Sequence, residues 1–162
     1  MLENAFNEVY TKFKLNFYRG IFERLQERDS SLSASEAYAV EVIAALGEPT
    51  VSEFARFLHV SKSNATYKVN TLINKGYVVK VRSEKDGREY HLHTTAKFQQ
   101  YYAINQNYVV EVMRRINERF SEQEIQQLEY MLTVISDELM PEAKGLLWKP
   151  GASQSKEHLH GN

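Results

Sequence analysis

The run SKSNATYKVNTLINKGYVVKVRSEKDGREYHLH, residues 61–93, holds the most informative pattern in the chain. Three apolar residues recur at helical spacing before Gly76, which stands where a helix takes a left-handed final residue: Ala65, Val69 and Leu72. Residues 77–82 and 89–93 are rich in β-branched and aromatic side chains, and they flank a polar turn at residues 83–88. The run therefore predicts a helix followed directly by a basic β-hairpin.

Three capping-box patterns, in which a Ser or Thr is followed three residues later by Glu, predict helix N-termini upstream and downstream of this run. They are Ser33/Glu36, Thr50/Glu53 and Ser121/Glu124. The first opens a helix to about residue 46, and the second opens a short helix over residues 50–58. A turn at residues 59–60 then leads to the helix that starts at Ser61. A short helix, a tight turn, a second helix and a basic hairpin make a winged helix-turn-helix.

Amphipathic helices flank this module on both sides. Residues 2–27 carry an aromatic stripe at helical spacing, which we expect to be buried, and residues 95–119 form a long helix. The last helix repeats apolar residues at steps of three and four, which is typical of a coiled-coil seam. Together these helices present more apolar surface than one small module can cover, which favours a homodimer.

The predicted fold class is mainly α with a small β-hairpin wing, a winged helix-turn-helix between N- and C-terminal dimerisation helices. We expect four parts: an N-terminal dimerisation helix at residues 1–30, a DNA-binding domain at 31–94, C-terminal dimerisation helices at 95–140 and a tail at 141–162.

Composition and sequence motifs exclude several classes of functional site. The 162 residues suit one domain with an oligomerisation appendage, and the absence of cysteine excludes disulfides, thiolate zinc sites and iron–sulfur clusters. No apolar run reaches the roughly 20 residues of a membrane span, and the N-terminus has no secretory signal pattern, so we expect a cytoplasmic protein without a membrane partner. Nucleophile-elbow, phosphate-loop and His-Glu-x-x-His motifs are absent, so an enzyme is not expected.

Charge is distributed unevenly along the chain. The formal net charge is −1, but residues 56–88 carry eight basic and two acidic residues, so this third is +6 and the remainder is −7. A basic module within an acidic chain indicates a surface for a polyanion such as double-stranded DNA.

The predicted DNA-binding residues lie at the start of the second helix, on its outward side and in the hairpin turn. They are Ser61, Lys62, Ser63, Asn64, Thr66, Tyr67, Lys68, Asn70, Lys85, Asp86 and Arg88. Short polar side chains at a helix N-terminus let that end enter the major groove and favour phosphate. Asn64 suits an adenine edge and Tyr67 a thymine methyl or a phosphate, whereas Lys62 and Lys68 suit phosphate alone. Arg88 suits a narrow minor groove, with Asp86 orienting it.

Residues 72–88, LINKGYVVKVRSEKDGR, together with Thr95, resemble the recognition-helix end, strand and wing of the multiple-antibiotic-resistance regulator (MarR) family. The resemblance spans residues 6–139 and departs from the family pattern at Thr94, where Leu is usual, and Phe98, where Gly is usual. It implies an obligate homodimer built from the first and last two helices, which binds a pseudo-palindromic operator, more often as a repressor.

Family resemblance also implies a signal that modulates DNA release. The family's effector pocket lies where the aromatic helices meet the DNA-binding lobe, so Phe17, Tyr38 and Tyr102 are candidates to bind a small apolar or aromatic effector, with core packing as the alternative role. Residues 81–93 also resemble the branch of the family that represses fatty-acid synthesis, which implies an acyl ligand.

Two alternatives stay open. One is a winged-helix protein-interaction module without DNA binding. The other is a metal-responsive regulator, because His91 and His93 share a strand face and His158 and His160 repeat that spacing. Two imidazoles do not make the four-ligand site that zinc prefers, so no metal and no cofactor are expected.

Overall fold

The computed structural model describes residues 1–24, 32–84, 86–143 and 146. These residues form seven α- and 3₁₀-helices and one two-stranded antiparallel sheet, as the sequence predicts: α1 (Leu2–Arg24), α2 (Ala34–Ala45), α3 (Val51–Leu58), α4 (Lys62–Asn74), β1 (Val78–Arg82), β2 (Tyr90–Thr94), α5 (Ala96–Arg119), α6 (Glu122–Glu138) and a 3₁₀ turn, Pro141–Ala143. No described helix is both long and apolar enough to cross a membrane.

All three predicted capping boxes are present. The backbone N–H groups of Ser33, Thr50 and Ser121 donate to the Glu side chains three residues later at 2.7, 2.7 and 2.8 Å, and each cap hydroxyl accepts an N–H in return. Each exchange satisfies two N–H groups that have no partner inside the helix. Local side-chain chemistry therefore fixes the starts of α2, α3 and α6.

Two left-handed residues set the path around α4. His59, at φ 52°, ends α3 and starts the tight turn into α4. Gly76, at φ 79°, follows α4, and the Tyr77 N–H donates to the Leu72 carbonyl at 3.0 Å. This is the glycine-terminated helix end that the sequence predicts.

The hairpin is tied to the turn between α2 and α3. Val78 pairs with Thr94 and Arg82 with Tyr90 across the two strands. The Leu92 N–H donates to the Pro49 carbonyl at 2.8 Å, and Thr50 forms a bridge with His91. The wing is therefore anchored to the rest of the module through β2.

The core lies between α2, α3, α4, the hairpin and the start of α5. Its fully buried large side chains are Phe54, Phe98, Ile43, Leu72, Leu92, Val40, Val69 and Val78. Phe98, a departure from the family pattern, has no exposed surface, and its ring lies 6.3 Å from that of Tyr101 and 5.8 Å from that of Tyr102. The larger side chain is accommodated by aromatic neighbours at the start of α5.

The aromatic stripe of α1 is a correction to the sequence analysis, because it is not buried within the single chain. Phe6, Tyr10 and Tyr18 are 57%, 53% and 44% exposed, although the ring of Phe13 contacts that of Tyr108 on α5 at 5.6 Å. Helix α6 likewise buries none of its residues. These faces need a second surface to cover them. The predicted extension of α1 to residue 27 and nearly all of the predicted tail, residues 141–162, lie outside the described residues.

Replacing Phe98 tests its place in the core. We expect Phe98→Ala to lower the free energy of unfolding by about 3–5 kcal/mol, because the substitution leaves a cavity among aromatic side chains. Urea denaturation at fixed protein concentration measures this. Tyr67→Ala, at a side chain that is 73% exposed, is the matched control and should change stability little. Equal losses in the two variants would contradict the assigned core.

Candidate nucleic-acid interface

The N-terminus of α4 is open and free of negative charge. The Ser61 hydroxyl accepts the Asn64 N–H at 3.2 Å and lies 3.0 Å from the Ser63 hydroxyl. Lys62, Ser63 and Asn64 are exposed, and the first turn holds no acidic residue. A helix N-terminus carries a partial positive charge and unpaired N–H groups, so this end favours an anion.

The outward side of α4 contains only part of the predicted set. Tyr67 and Asn70 are exposed, opposite the buried Ala65, Val69 and Leu72. Thr66 is partly buried and its hydroxyl donates to the Lys62 carbonyl at 2.8 Å, within the helix. Lys68 is also partly buried, and its ammonium donates to the Ser35 hydroxyl at 3.4 Å. Lys62, Asn64, Tyr67 and Asn70 are therefore the side chains best placed to reach a ligand from α4.

Hydrogen bonds between side chains and the backbone hold the wing turn. The Asp86 carboxylate accepts the Arg88 N–H at 3.0 Å, so it holds the backbone of Arg88. Arg82 donates through Nε to the Gly87 carbonyl, and the Ser83 hydroxyl accepts the Asp86 N–H at 3.3 Å. Arg88 itself is exposed. Lys85, the other predicted wing cation, lies outside the described residues.

A cleft of about 430 Å³ lies between α3, α4 and the wing. It is lined by Thr50, Val51, Ser52, Lys62, Lys80, Asp86, Arg88, Glu89 and Tyr90. Three cations meet there from three elements: Lys62 from α4, Lys80 from β1 and Arg88 from the wing. Lys80 also lies 3.4 Å from the Asn70 amide oxygen.

Sequence reasoning missed Lys80. Its position in β1, opposite Leu92 in the strand register, turns it to the side of the sheet that faces α4. Strand alternation places Lys80 on the same side of β1 as Val78, which the structure shows to be fully buried.

The histidines of β2 make structural contacts. His91 Nδ1 lies 2.8 Å from the Glu48 carbonyl oxygen, and His93 Nδ1 lies 3.3 Å from a carboxylate oxygen of the same Glu48. Since a carbonyl only accepts, His91 Nδ1 is the donor. Within the described ranges, no group of three or more His, Cys, Asp or Glu side chains is arranged to hold a metal ion. His158 and His160 lie outside those ranges.

The three effector-pocket candidates differ in exposure. Phe17 and Tyr102 are partly buried and pack against the core, whereas Tyr38 is 57% exposed. Glu41 lies three residues after Tyr38 on α2 and close to Tyr102. Burial raises the pKa of Glu41 to about 7. Burial, with the nearby Glu41 charge, also raises the pKa of Tyr102 to about 12.

A family model described as the MarR family matches residues 30–89. A curated relative, the uncharacterized HTH-type transcriptional regulator YpoP from Bacillus subtilis, is 29% identical over 82 residues. That match covers 48% of this chain and 58% of the relative, so the chain spans less than two thirds of the relative's length. The matched proteins are transcriptional regulators and not enzymes.

Solved structures match a larger part of the chain. Streptococcus pneumoniae FabT, crystallised in complex with DNA, is 25% identical with a TM-score of 0.56, covering 84% of this chain and 95% of that one. A MarR family protein from Bacillus stearothermophilus has a TM-score of 0.60 at 19% identity, covering 86% and 93%. A MepR mutant from multidrug resistant S. aureus has a TM-score of 0.63 at 13% identity, covering 86% and 97%. The last two matches establish the fold.

Removing the Arg82 side chain tests the wing geometry. We expect Arg82→Ala to speed amide exchange at Ser83 and Glu89, whose N–H groups close the turn at 2.9 Å each. One lost hydrogen bond of about 0.5–1.5 kcal/mol predicts roughly two- to tenfold faster exchange by NMR. Lys80→Ala, which leaves the turn contacts in place, is the control. Unchanged exchange in Arg82→Ala would show that the turn is held without it.

Proposed function

We propose that this chain is a member of the MarR family of winged-helix proteins and acts as a homodimeric, sequence-specific DNA-binding transcriptional regulator. The observation that carries the proposal is the cleft where Lys62, Lys80 and Arg88 converge beside the N-terminus of α4. Cations on three separate elements can each contact a different phosphate of a duplex. The match to FabT, which was crystallised with DNA, supports the same conclusion.

In this proposal α4 lies in the major groove and the wing lies against the adjacent minor groove. Asn64, Tyr67 and Asn70 are exposed and contact base edges, while Lys62 and Lys80 bind the flanking phosphates. Arg88, on a turn held by backbone hydrogen bonds, enters the minor groove. Ser61 and Asp86 act through the backbone geometry that they fix, and Ser63 contacts the hydroxyl of Ser61 beside the phosphates.

The dimer follows from apolar faces that one chain leaves uncovered. Between α5 and α6 lies an open groove of about 450 Å³, lined by Met113, Ile116, Asn117, Ile125, Leu128, Glu129, Leu132, Thr133, Ser136 and Asp137. Exposed aromatic side chains of α1 add to this apolar surface. We propose that residues 1–30 and 95–140 pair with a second copy, while residues 31–94 bind DNA. A two-fold dimer places its two recognition helices roughly 34 Å apart, which calls for a pseudo-palindromic operator.

We further propose that the dimer is a repressor whose DNA affinity responds to a small apolar or aromatic effector. Phe17 on α1 and Tyr102 on α5 pack against the core of the DNA-binding module, and Tyr38 is exposed on α2. A molecule bound where these helices meet changes the angle between the two DNA-binding domains. Because both half-sites must be engaged at once, a small change in angle weakens binding to the operator.

DNA binding is tested by fluorescence anisotropy on a duplex that the wild-type protein has selected from random DNA, against a scrambled duplex, over a salt series. We expect roughly a thousandfold preference and a steep fall in affinity with salt. Arg88→Ala should weaken binding to the selected duplex by about 1–3 kcal/mol. If selection enriches no sequence and binding is insensitive to salt, the protein is a winged-helix interaction module instead.

Base readout and phosphate contact are separated by a second pair of variants in the same assay. Lys62→Ala should weaken binding to both duplexes alike, because it removes one phosphate contact. It should also reduce the slope of log affinity against log salt concentration by about one. Asn64→Ala should weaken binding mainly to the selected duplex, because it removes a base contact. If Asn64→Ala lowers the affinity for both duplexes equally, Asn64 contacts the phosphate backbone of the DNA and not a base.

A charge in the groove between α5 and α6 tests the dimer. We expect Leu132→Lys to shift the protein toward monomer in sedimentation velocity, since an unpaired ammonium is costly to bury in an apolar interface. Gln127→Lys introduces the same charge at an exposed position of α6 that does not line the groove, and should remain dimeric. A dimer that survives Leu132→Lys unchanged would place the interface elsewhere.

A further inference from the structure

Glu41 is a carboxylate whose environment the DNA-binding role does not explain. It lies in α2, and the residue is largely buried, with its Oε1 atom removed from solvent. That oxygen accepts no hydrogen bond from any described residue. Buried carboxylates are normally paired or hydrogen-bonded, because burying an uncompensated charge is costly. Among the described residues, this oxygen therefore has unused capacity to accept a hydrogen bond or to pair with a positive charge.

The neighbours of Glu41 are aromatic. Tyr102 of α5 is close enough for the Glu41 charge to raise its pKa, and its hydroxyl is hydrogen-bonded to Gln106. The Tyr102 ring lies 5.8 Å from the ring of Phe98. Tyr38 precedes Glu41 by three residues on α2, so the two side chains lie on the same face of that helix, and Tyr38 is exposed. The carboxylate therefore shares a helix face with an exposed tyrosine and lies near a partly buried one.

This combination favours one class of ligand. Aromatic faces attract cations, and a carboxylate in apolar surroundings interacts with a cation more strongly than one in water. A neutral ligand would leave Oε1 unpaired or would need a donor directed at it, and an anion would bring a second negative charge to the same place. An organic cation satisfies the oxygen and contacts the rings with its apolar body.

We propose that Glu41 is the anchor of the effector site and binds an organic monocation, an ammonium carried on an apolar or aromatic body, between α2 and α5. This inference rests on the proposed effector response, for which it names the chemical class of the ligand. Tyr38 and Tyr102 flank the cation, and Glu41 supplies the opposite charge. A proton on this carboxylate competes with the cation, so the cation binds the ionised form of Glu41 and displaces the proton to solvent from any protonated fraction.

The test uses the full-length protein and four probes that differ in charge: naphthylmethyltrimethylammonium, the neutral naphthylmethanol, and the anions naphthoate and decanoate. Isothermal titration calorimetry at pH 8 should show the ammonium binding wild type at least about tenfold more tightly than the alcohol, with no binding of either anion. Glu41→Gln should remove this preference. Glu3→Gln removes one negative charge from an exposed position of α1 and should retain it.

The pH dependence gives a second measurement on wild type alone. The ammonium is permanently charged, so only the protein titrates, and a proton on Glu41 competes with the cation. With the pKa of Glu41 near 7, the affinity should rise about tenfold from pH 6 to pH 8, in proportion to the ionised fraction. Glu41→Gln should show no such rise. This variant is expected to fold, because an amide resembles the neutral carboxyl that burial favours.

The outcomes separate this inference from the proposed function. Anisotropy on the selected duplex without any probe tests DNA binding, and Glu41→Gln should bind DNA as wild type does. A preference for the ammonium that depends on Glu41, with a change in DNA affinity on adding the ammonium to wild type only, supports the inference. Tighter binding of the alcohol, naphthoate or decanoate overturns it, and so does failure of wild type to bind the ammonium. A preference that survives in Glu41→Gln assigns the site to other residues.

Discussion

The left-handed turn at Gly76 is the constraint on which the wing and the long helix both depend. Its carbonyl accepts the Thr95 hydroxyl at 2.7 Å, and the Tyr77 carbonyl accepts the Thr95 N–H at 3.1 Å, so the end of α4 is fastened to the start of α5. Lys97 donates to the Lys75 carbonyl at 2.8 Å and lies 4.6 Å from the centre of the Tyr77 ring. One turn therefore sets the directions of α4, β1 and α5 together.

Elements whose signals are local were predictable from the sequence. Capping boxes, a glycine at the end of α4 and strand-like runs around a polar turn each depend on neighbours within a few residues, and the structure reproduces them. Features that depend on tertiary packing were not predictable. The proximity of Glu41 on α2 to Tyr102 on α5, and the meeting of Lys80 with Lys62 and Arg88 at one cleft, bring together residues from elements that are distant in sequence. The pattern of apolar residues indicates that the flanking helices carry more apolar surface than one chain can cover, but it does not show which part of the α1 stripe stays exposed.

The charges of the molecule are separated along its length. The basic cleft lies in the winged helix, whereas on α5 Glu111, Arg114, Arg115 and Glu118 form a surface network of opposite charges. The hydrogen bond from Arg114 lowers the pKa of Glu111 to about 2. Such exposed pairs add little stability, but they neutralise one another. The attraction for a polyanion is therefore concentrated at the cleft and the start of α4, and in the proposed function this asymmetry orients the protein as it approaches DNA.

Helix α2 connects the Glu41 site to the recognition helix. At its N-terminal end Glu36 pairs with Lys75, at the end of α4, at 2.8 Å. Burial raises the pKa of Glu36, but hydrogen bonds from Lys75 and Ser33 outweigh burial, so the net pKa is lowered and the pair stays charged. Glu41 lies on the same helix, little more than one turn further on, beside Tyr102 of α5. In the proposed effector site, a cation bound at Glu41 therefore acts on the same helix that holds the end of α4 through Lys75. If α2 moves as a rigid unit, the proposed coupling between effector and DNA needs no further relay, since a displacement of α2 is passed directly to α4 through this ion pair.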